Sequence, residues 1–331
     1  MCIIKRIKMK VTKQPFFIEV IRPQLKEVEK KLLADLGTYN KVLTEAATYL
    51  FKAGGKHLRP VLTLLIARMC GNQITSDHIT LAISIELLHT ATLIHDDIID
   101  MSPMRRGLPS VNFKWNDKIS VIAGDFLLAR SSYYISKIGN TRLNKLFAKA
   151  VMDMCDGEIL QLLQRYEIET AFEDYLKKTE RKTALLMAVG ALASSIISRS
   201  PYEKAAYDIG LNIGIAFQVI DDILDFSSDN KKLGKPVGND LLQGNLTAPV
   251  LYALDSADGK RLKELIETKF SDKESIGEAL EIINKPQNMD KAKNLAQHYA
   301  NLAYGTLNSI PVTETHAALD DLFKFILVRS Y

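Results

Sequence analysis

Two copies of one acidic pentapeptide, Asp96-Asp97-Ile98-Ile99-Asp100 and Asp221-Asp222-Ile223-Leu224-Asp225, lie inside otherwise apolar stretches of this chain. The first follows Leu87-Leu88-His89-Thr90-Ala91-Thr92-Leu93-Ile94-His95, the second Ile213-Gly214-Ile215-Ala216-Phe217-Gln218-Val219-Ile220. Such runs read as core helix, and isolated carboxylates are costly there unless something cationic compensates them. At helical spacing, residues i, i+1 and i+4 share a face, so each copy presents three carboxylates to one side while its aliphatics point elsewhere. Hard oxygen donors suit Mg²⁺, which keeps several waters and binds through one or two carboxylates plus substrate phosphate oxygens. Two such clusters predict a clamp for a diphosphate rather than a closed metal cage. One copy alone would read as a solvated acidic face; two in apolar surroundings do not.

Apolar residues recur at helical spacing nearly throughout, and no alternating strand pattern extends beyond a few positions. The chain is therefore expected to be all-α, with helices over 17–36, 40–53, 59–71, 76–101, 117–137, 141–168, 171–198, 201–228, 246–256, 258–268, 272–284, 288–308 and 315–329. Gly54-Gly55, the stretch from Ser102 to Pro109, Ser200-Pro201, the stretch from Ser227 to Gly238, Pro286 and Pro311 mark the turns. None resembles an interdomain linker. One domain over 1–331 is expected, a bundle of long helices around a central cavity, with 1–14 as a flexible extension.

The 331 residues are 47% apolar and 25% charged, ample for a large core. Lys and Arg total 43 against 39 Asp and Glu, and this excess of +4 is spread along the chain, which argues against a nucleic-acid partner. Cys2, Cys70 and Cys155 have no CxxC spacing, so a disulfide framework or zinc site is not expected and a reducing compartment is. The basic opening Met1 to Lys10 has apolar pieces too short for a signal peptide. No window approaches the roughly 18 apolar residues of a membrane span. The expected location is the cytoplasm, with at most peripheral membrane contact during product release.

Basic groups answer the acidic ones. Gly54-Gly55-Lys56-His57-Leu58-Arg59-Pro60 opens a helix whose free amides, with Lys56 and Arg59, would hold a phosphate; a turn before a solvated helix start is the plainer reading. Arg105-Arg106-Gly107 follows the first acidic motif, and the planar fork of arginine matches phosphate oxygens; helix C-terminal charge compensation is the alternative. His89 stands two turns before Asp96, roughly 10 Å along the axis, within reach of a second phosphate group. By itself it reads as a hydrogen-bonded core histidine. Lys182-Thr183 and Gln218 are polar side chains in apolar helices, and Lys231, Lys232 and Lys235 sit in a loop that would close over bound phosphate or simply be solvated.

Taken in order, Gly-Gly-Lys56-x-x-Arg59-Pro, His89, Asp96-Asp97-x-x-Asp100, Arg105-Arg106-Gly107, Lys182-Thr183, Phe217-Gln218-x-x-Asp221-Asp222-x-x-Asp225 and Gly234-Lys235-Pro236 resemble the trans-isoprenyl diphosphate synthase (polyprenyl synthetase) family over essentially the whole chain. The resemblance implies antiparallel helices around a deep cavity, usually in a dimer, and head-to-tail addition of isopentenyl diphosphate to an allylic diphosphate. By position, Asp96, Asp97, Asp100, Asp221, Asp222 and Asp225 would hold two or three Mg²⁺. Arg105, Lys182, Thr183, Gln218 and Lys235 would hold the allylic substrate, and Lys56, Arg59, His89 and Arg106 the isopentenyl diphosphate. No side-chain base is evident for the last proton, which the departing diphosphate would take. Two departures stand out: His57 where many relatives have Arg, and Gln243-Gly244-Asn245 where they have Glu-Gly-Lys. The segment from Gly234 to Asn245 is similar to the catalytic component of bacterial heptaprenyl diphosphate synthases, which implies a dissimilar small subunit as one form of partner.

The small pair Ala91-Thr92, one turn before Asp96, would let a growing chain pass where short-chain relatives place an aromatic. This predicts a product of about six to eight isoprene units, the aliphatic stem passing along one face of the helix. Leu88, Ile85 and Leu81 are the next candidates for its floor, or plain core. The competing readings are a class I terpene cyclase, which needs no second diphosphate site, and a regulatory subunit of a heteromeric synthase, which tends to lose aspartates from one motif.

Overall fold

Asparagine, threonine and aspartate caps open several helices of the structure, a computed structural model that describes residues 15–34, 39–71, 73–169, 171–227, 237–270 and 272–328. In chain order these are α1 (Phe16–Leu32), α2 (Lys41–Ala53), α3 (Leu58–Gly71), α4 (Ser76–Ile99), α5 (Val111–Lys114), α6 (Asp117–Lys137), α7 (Thr141–Leu163), α8 (Phe172–Thr179) and α9 (Leu185–Ile197). They continue as α10 (Glu203–Asp225), α11 (Asn239–Leu242), α12 (Ala248–Leu254), α13 (Gly259–Glu267), α14 (Lys273–Ile283), α15 (Pro286–Asn308) and α16 (Thr315–Val328). Asn40 accepts from Val42 N and Asn116 from Ile119 N, both at 2.9 Å, each satisfying an amide the first turn leaves open. Thr75 and His78 form a capping box for α4. Pro286 sits at the first position of α15, where its missing N–H costs nothing.

Packing groups the described residues into two compact units. The first comprises those up to Lys149 with Val189–Tyr207 and Ile310–Asp321; the second comprises Ala150–Ala188, Asp208–Ser309 and Leu322 onward. In the first unit, α1 buries Phe17, Ile18, Ile21, Leu25, Val28 and Leu32, a stripe at three- and four-residue spacing. Each such side chain contributes about 1.5–3 kcal/mol on full burial. Central to this unit is α4, buried on nearly all sides from His78 to Ala91. It pairs with α6: Ser84 and Ser131 each donate Oγ to the other's carbonyl at 2.9 Å, while His95 lies over Gly124. Ascending numbers on α4 meet descending numbers on α6, so the two run antiparallel.

The second unit has two core clusters. One gathers Tyr175, Ala184, Ile215, Val219 and Ile223 with Ala248, Ala292 and Ala296; the other gathers Phe226, Leu241, Val250, Leu262, Leu265 and Ile282. Alanines at three- and four-residue spacing on α15, Ala292, Ala296, Ala300 and Ala303, are buried, and the first two cluster with Ala248 of α12, which packs against α15.

The all-α expectation holds, and most helices begin and end near the sequence signals, although α5 and α11 were not expected, the helix expected over 17–36 ends at Leu32 and three further departures stand out. The expected helix over 171–198 is broken by a π-helical turn, Glu180–Ala184, between α8 and α9. Five-residue hydrogen bonding leaves no compositional mark, and such turns gather at functional sites. The stretch 102–109 contains a small hairpin, β1 (Met104–Arg105) with β2 (Leu108–Pro109). Its two-residue loop, Arg106-Gly107, has φ of 54° and 74°, the left-handed pair that a right-twisted hairpin needs. The helix expected over 141–168 ends at Leu163. The extension expected over 1–14 lies outside the described residues.

Candidate active site

In the first unit the acidic motif closes α4. Asp97 is buried and Asp96 half-buried, while Asp100 is the C-cap, its amide donating to Asp96 O at 2.8 Å. Arg105 donates to Asp97 Oδ1 through Nε at 2.8 Å and Nη2 at 2.5 Å. Burial works against the Arg105 charge, but Asp97, with Asp96 and Asp100 behind it, more than offsets this and raises its pKa. The hairpin loop sends the next arginine elsewhere: Arg106 Nη1 donates to Leu50 O at 3.0 Å, at the end of α2. Its guanidinium lies over Gly55, where a Cβ would come within 3.1 Å of it. The Arg pair that reads as one patch in sequence is therefore divided between the acidic motif and the Gly54-Gly55 turn.

That turn carries Lys56, exposed, and leads into Arg59 on the first turn of α3. Arg59 Nη1 stands 3.1 Å from His89 Nε2. Arginine can only donate, so Nε2 accepts and the His89 proton sits on Nδ1. Burial, and then the Arg59 charge, push the His89 imidazole well below its usual pKa despite Glu86 nearby. Arg59 and His89 thus meet in this unit, while Arg106 reaches the turn that carries Lys56. His57 points inward instead, its Nδ1 2.8 Å from Glu86 Oε1.

The residues expected to floor a growing chain are on α4. Ala91, Leu88, Ile85 and Leu81 are all buried. Thr92 turns its hydroxyl back to His89 O at 2.9 Å, leaving its methyl as the apolar part. Ile85 lies close to the α-carbon of Gly190.

In the second unit one face of α10 runs Gly210, Gly214, Gln218, Asp222 at four-residue spacing. A Cβ on Gly210 or Gly214 would come within 2.7 Å of the Cα of Ala188 or Ala184, so only glycine permits this approach. On its other side the π-turn meets Gly157 of α7, where a Cβ would come within 2.9 Å of Arg181. Held between these glycines, the turn aims Thr183 and Lys182 at their partners. Thr183 Oγ1 donates to Gln218 Oε1 at 2.8 Å, Gln218 Nε2 donates to Asp222 Oδ1 at 2.7 Å, and Tyr175 Oη donates to Asp222 Oδ2 at 2.6 Å. Lys182 pairs with Glu158 at 2.5 Å, and Arg181 pairs with Asp156.

Burial and the nearby Asp240 charge lift the Asp222 carboxyl to about 7, against Tyr175, Gln218 and Lys178, which pull it down. Burial likewise lowers the Lys178 pKa while Asp222 and Asp240 support its charge. Asp225 ends α10 and accepts from Asp240 N through Oδ2 at 2.9 Å. The departing triplet Gln243-Gly244-Asn245 is fixed by Tyr166, whose hydroxyl donates to Leu242 O at 2.6 Å and whose amide donates to Gly244 O at 2.9 Å. Lys231, Lys232 and Lys235 lie outside the described residues.

The donor set of both motifs is carboxylate oxygen, the chemistry that Mg²⁺ prefers. Among the described residues no three His, Cys, Asp or Glu groups converge as a closed cage.

Five contributing residues were not singled out by sequence reasoning. Glu86 carries the same signal as the motifs, an acid in an apolar run, but without a repeat. Tyr175, Lys178, Glu158 and Asp240 carry no signal of their own, because they reach the motifs by packing rather than spacing.

The polyprenyl synthetase family pattern matches residues 40–283. Solanesyl diphosphate synthase 2, chloroplastic, of Arabidopsis thaliana is 39% identical over 318 residues, covering 94% of this chain and 76% of that protein. Heptaprenyl diphosphate synthase component 2 of Geobacillus stearothermophilus is 37% identical over 311 residues, covering 92% of this chain and 94% of that one. Among solved structures, heptaprenyl diphosphate synthase from Staphylococcus aureus superposes with a TM-score of 0.89 at 32% identity, covering 93% of this chain and 98% of that one. Polyprenyl synthase from Caulobacter crescentus, complexed with calcium and isoprenyl diphosphate, gives 0.88 at 30% identity, covering 96% and 99%.

Proposed function

Because this chain belongs to the polyprenyl synthetase family and is a trans-polyprenyl diphosphate synthase, we propose that its two acidic motifs hold Mg²⁺ around the diphosphate of an allylic primer. The observation that carries this reading is the shared construction of the motifs. In each, a buried middle aspartate, Asp97 or Asp222, is fixed by protein donors, while the first and third stand partly open at a helix end. The calcium in a structural neighbour bound to isoprenyl diphosphate supports a divalent ion, and the all-oxygen donor set favours magnesium, two or three ions per site.

Lys182, Thr183, Gln218, Arg105 and Lys235 are assigned to the allylic diphosphate, and Lys56, Arg59, His89 and Arg106 to isopentenyl diphosphate. The allylic C–O bond breaks with its electron pair leaving on diphosphate. The isopentenyl π bond then attacks the allylic carbon, and the departed diphosphate takes the proton that restores the double bond. Bound Mg²⁺ supplies charge neutralisation for the leaving group. The protein residues hold both diphosphates, orient the reacting carbons and exclude water. Ala91 and Thr92 let the product extend to about six to eight units, the small side chains opening the face of α4.

The family match runs through residues of both units, which supports one functional domain over the chain. Its similarity to a protein named component 2 supports a partner, either a second copy or a dissimilar small subunit. No described helix is long and apolar enough to cross a membrane. We place the reaction in the cytoplasm, where charged diphosphates dissolve, with the lipid product released at a membrane surface.

The test is incubation of the purified chain with farnesyl diphosphate, labelled isopentenyl diphosphate and Mg²⁺, followed by sizing of the dephosphorylated products. Polyprenols of six to eight units are expected. Products confined to shorter chains would overturn the length assignment. Turnover without isopentenyl diphosphate would indicate a cyclase, and incorporation only after adding a small subunit would establish the two-part form.

A further inference from the structure

Glu86 stands on α4 three residues before His89, within the buried stretch of that helix. Its side chain is 2% exposed and that of His57 is 3%, and the two meet at 2.8 Å. A carboxylate removed from water to this degree is strongly unfavourable without compensation. We propose that Glu86 is a positioning residue for the second diphosphate: through His57 it fixes the Gly54–Arg59 turn, and with it the placement of Lys56, Arg59 and Arg106. This inference rests on reading those side chains as the isopentenyl diphosphate cradle.

Three observations converge on it. First, His57 has φ of 46°, a left-handed conformation that a side chain with a Cβ resists. The inward contact with Glu86 holds it there, and the same backbone geometry leaves the adjacent Lys56 outward and exposed. Second, Glu86 answers a concentration of like charge. Burial pushes its carboxyl up, but His57, then His89 and Arg106, outweigh that and hold it down at about 2. Arg59 and Arg105 add to the positive field felt at His89. Without an anion beneath them, Arg59 and Arg106 would repel one another before any substrate arrives. Third, Glu86 Oε2 and His57 Nε2 are buried and have no hydrogen-bond partner among the described residues. A pair built for stability alone would be fully satisfied or replaced by apolar groups. The pair is thus an exception to the usual satisfaction of buried polar groups.

The experiment is steady-state kinetics on the full chain, under conditions where the unmodified protein turns over, with separate KM values for the two substrates. Glu86→Gln is expected to raise KM for isopentenyl diphosphate about tenfold or more, the loss of one bond to a charged group, and to leave KM for farnesyl diphosphate within about twofold. His57→Gln should give a similar rise. The double variant should add little to either, as for two residues acting through one contact. An unchanged isopentenyl KM in folded Glu86→Gln, an equal rise for both substrates, or full additivity in the double variant overturns the proposal. Should Glu86→Gln not fold, His57→Gln breaks the same contact from the turn, and the same split in KM decides. Lys56→Ala separates the two levels of inference. If it leaves isopentenyl KM unchanged, the cradle assignment itself is wrong; if it raises that KM and Glu86→Gln does not, only the role of Glu86 is lost.

Discussion

The two acidic pentapeptides are near-identical in sequence and are built differently. In the first, the buried middle aspartate is answered by a cation, with Arg105 held against Asp97 at 2.5–2.8 Å. In the second, among the described residues, Asp222 receives neutral hydrogen bonds from Tyr175 and Gln218, and burial, then the Asp240 charge, lift its carboxyl to about 7. Lys178 opposes that lift without matching it. Among the described residues, the buried aspartate of the first motif has a cation in direct contact, whereas that of the second has a cation, Lys178, only in its surroundings. A repeated motif thus need not have repeated surroundings. Divalent metal should have its larger effect on the second.

The sharpest way to break this comparison is to remove the outer aspartates. Asp96→Ala and Asp221→Ala should each lower turnover on the order of a thousandfold, the scale of losing one electrostatic stabiliser, with helical circular dichroism unchanged. Retained turnover in either would mean that its motif is not part of the metal clamp. The middle aspartates separate the two designs by stability instead. Asp97→Asn leaves Arg105 facing a neutral group and should cost about 3 kcal/mol in urea unfolding. Asp222→Asn loses one hydrogen bond between neutral donors and should cost about 1 kcal/mol at most. Equal costs would show that the electrostatic difference between the sites is not expressed in the folded protein.

Gly214 tests how the second site is held. Gly214→Ala puts a methyl 2.7 Å from the Cα of Ala184 and should cost about 1–3 kcal/mol from overpacking, with a lower kcat as the π-turn carrying Lys182 is pushed away. Among the described residues, no glycine packs in this way against Arg105. Gly107 lies in open space at φ of 74°, so Gly107→Ala should cost only about 1 kcal/mol of backbone strain. A Gly214→Ala protein with normal stability and kcat would mean that the close approach is not what positions Lys182.

What sequence reveals follows the same division. The helices bearing the motifs were legible because an acid in an apolar run is anomalous on its own. Arg105 and Arg106 were legible as cations, but their separate destinations were not, since a two-residue left-handed loop decides them. Glu86 had the anomaly without the repeat. Tyr175 reaches Asp222 from 47 positions away, and the π-turn that places Thr183 beside Gln218 changes the helical phase without changing composition. Periodicity assigns faces within a regular helix, so any side chain delivered by an irregularity or by packing escapes it.

Ala91 carries the smallest expected change in rate and the clearest change in product. On α4 it occupies the position five residues before Asp96; the same offset on α10 is Ala216, and both are buried. Only the first is followed by a small polar residue, Thr92, where α10 has Phe217. If the product extends along α4, Ala91→Phe should leave the first condensation within about twofold, because no group that touches either diphosphate is altered, and should shorten the main product by several isoprene units in an extraction and sizing assay. An unchanged product distribution would move the floor to Leu88 or Ile85, which lie deeper on the same helix. The variants Leu88→Phe and Ile85→Phe, taken in that order, would then locate it by the first position at which the product shortens.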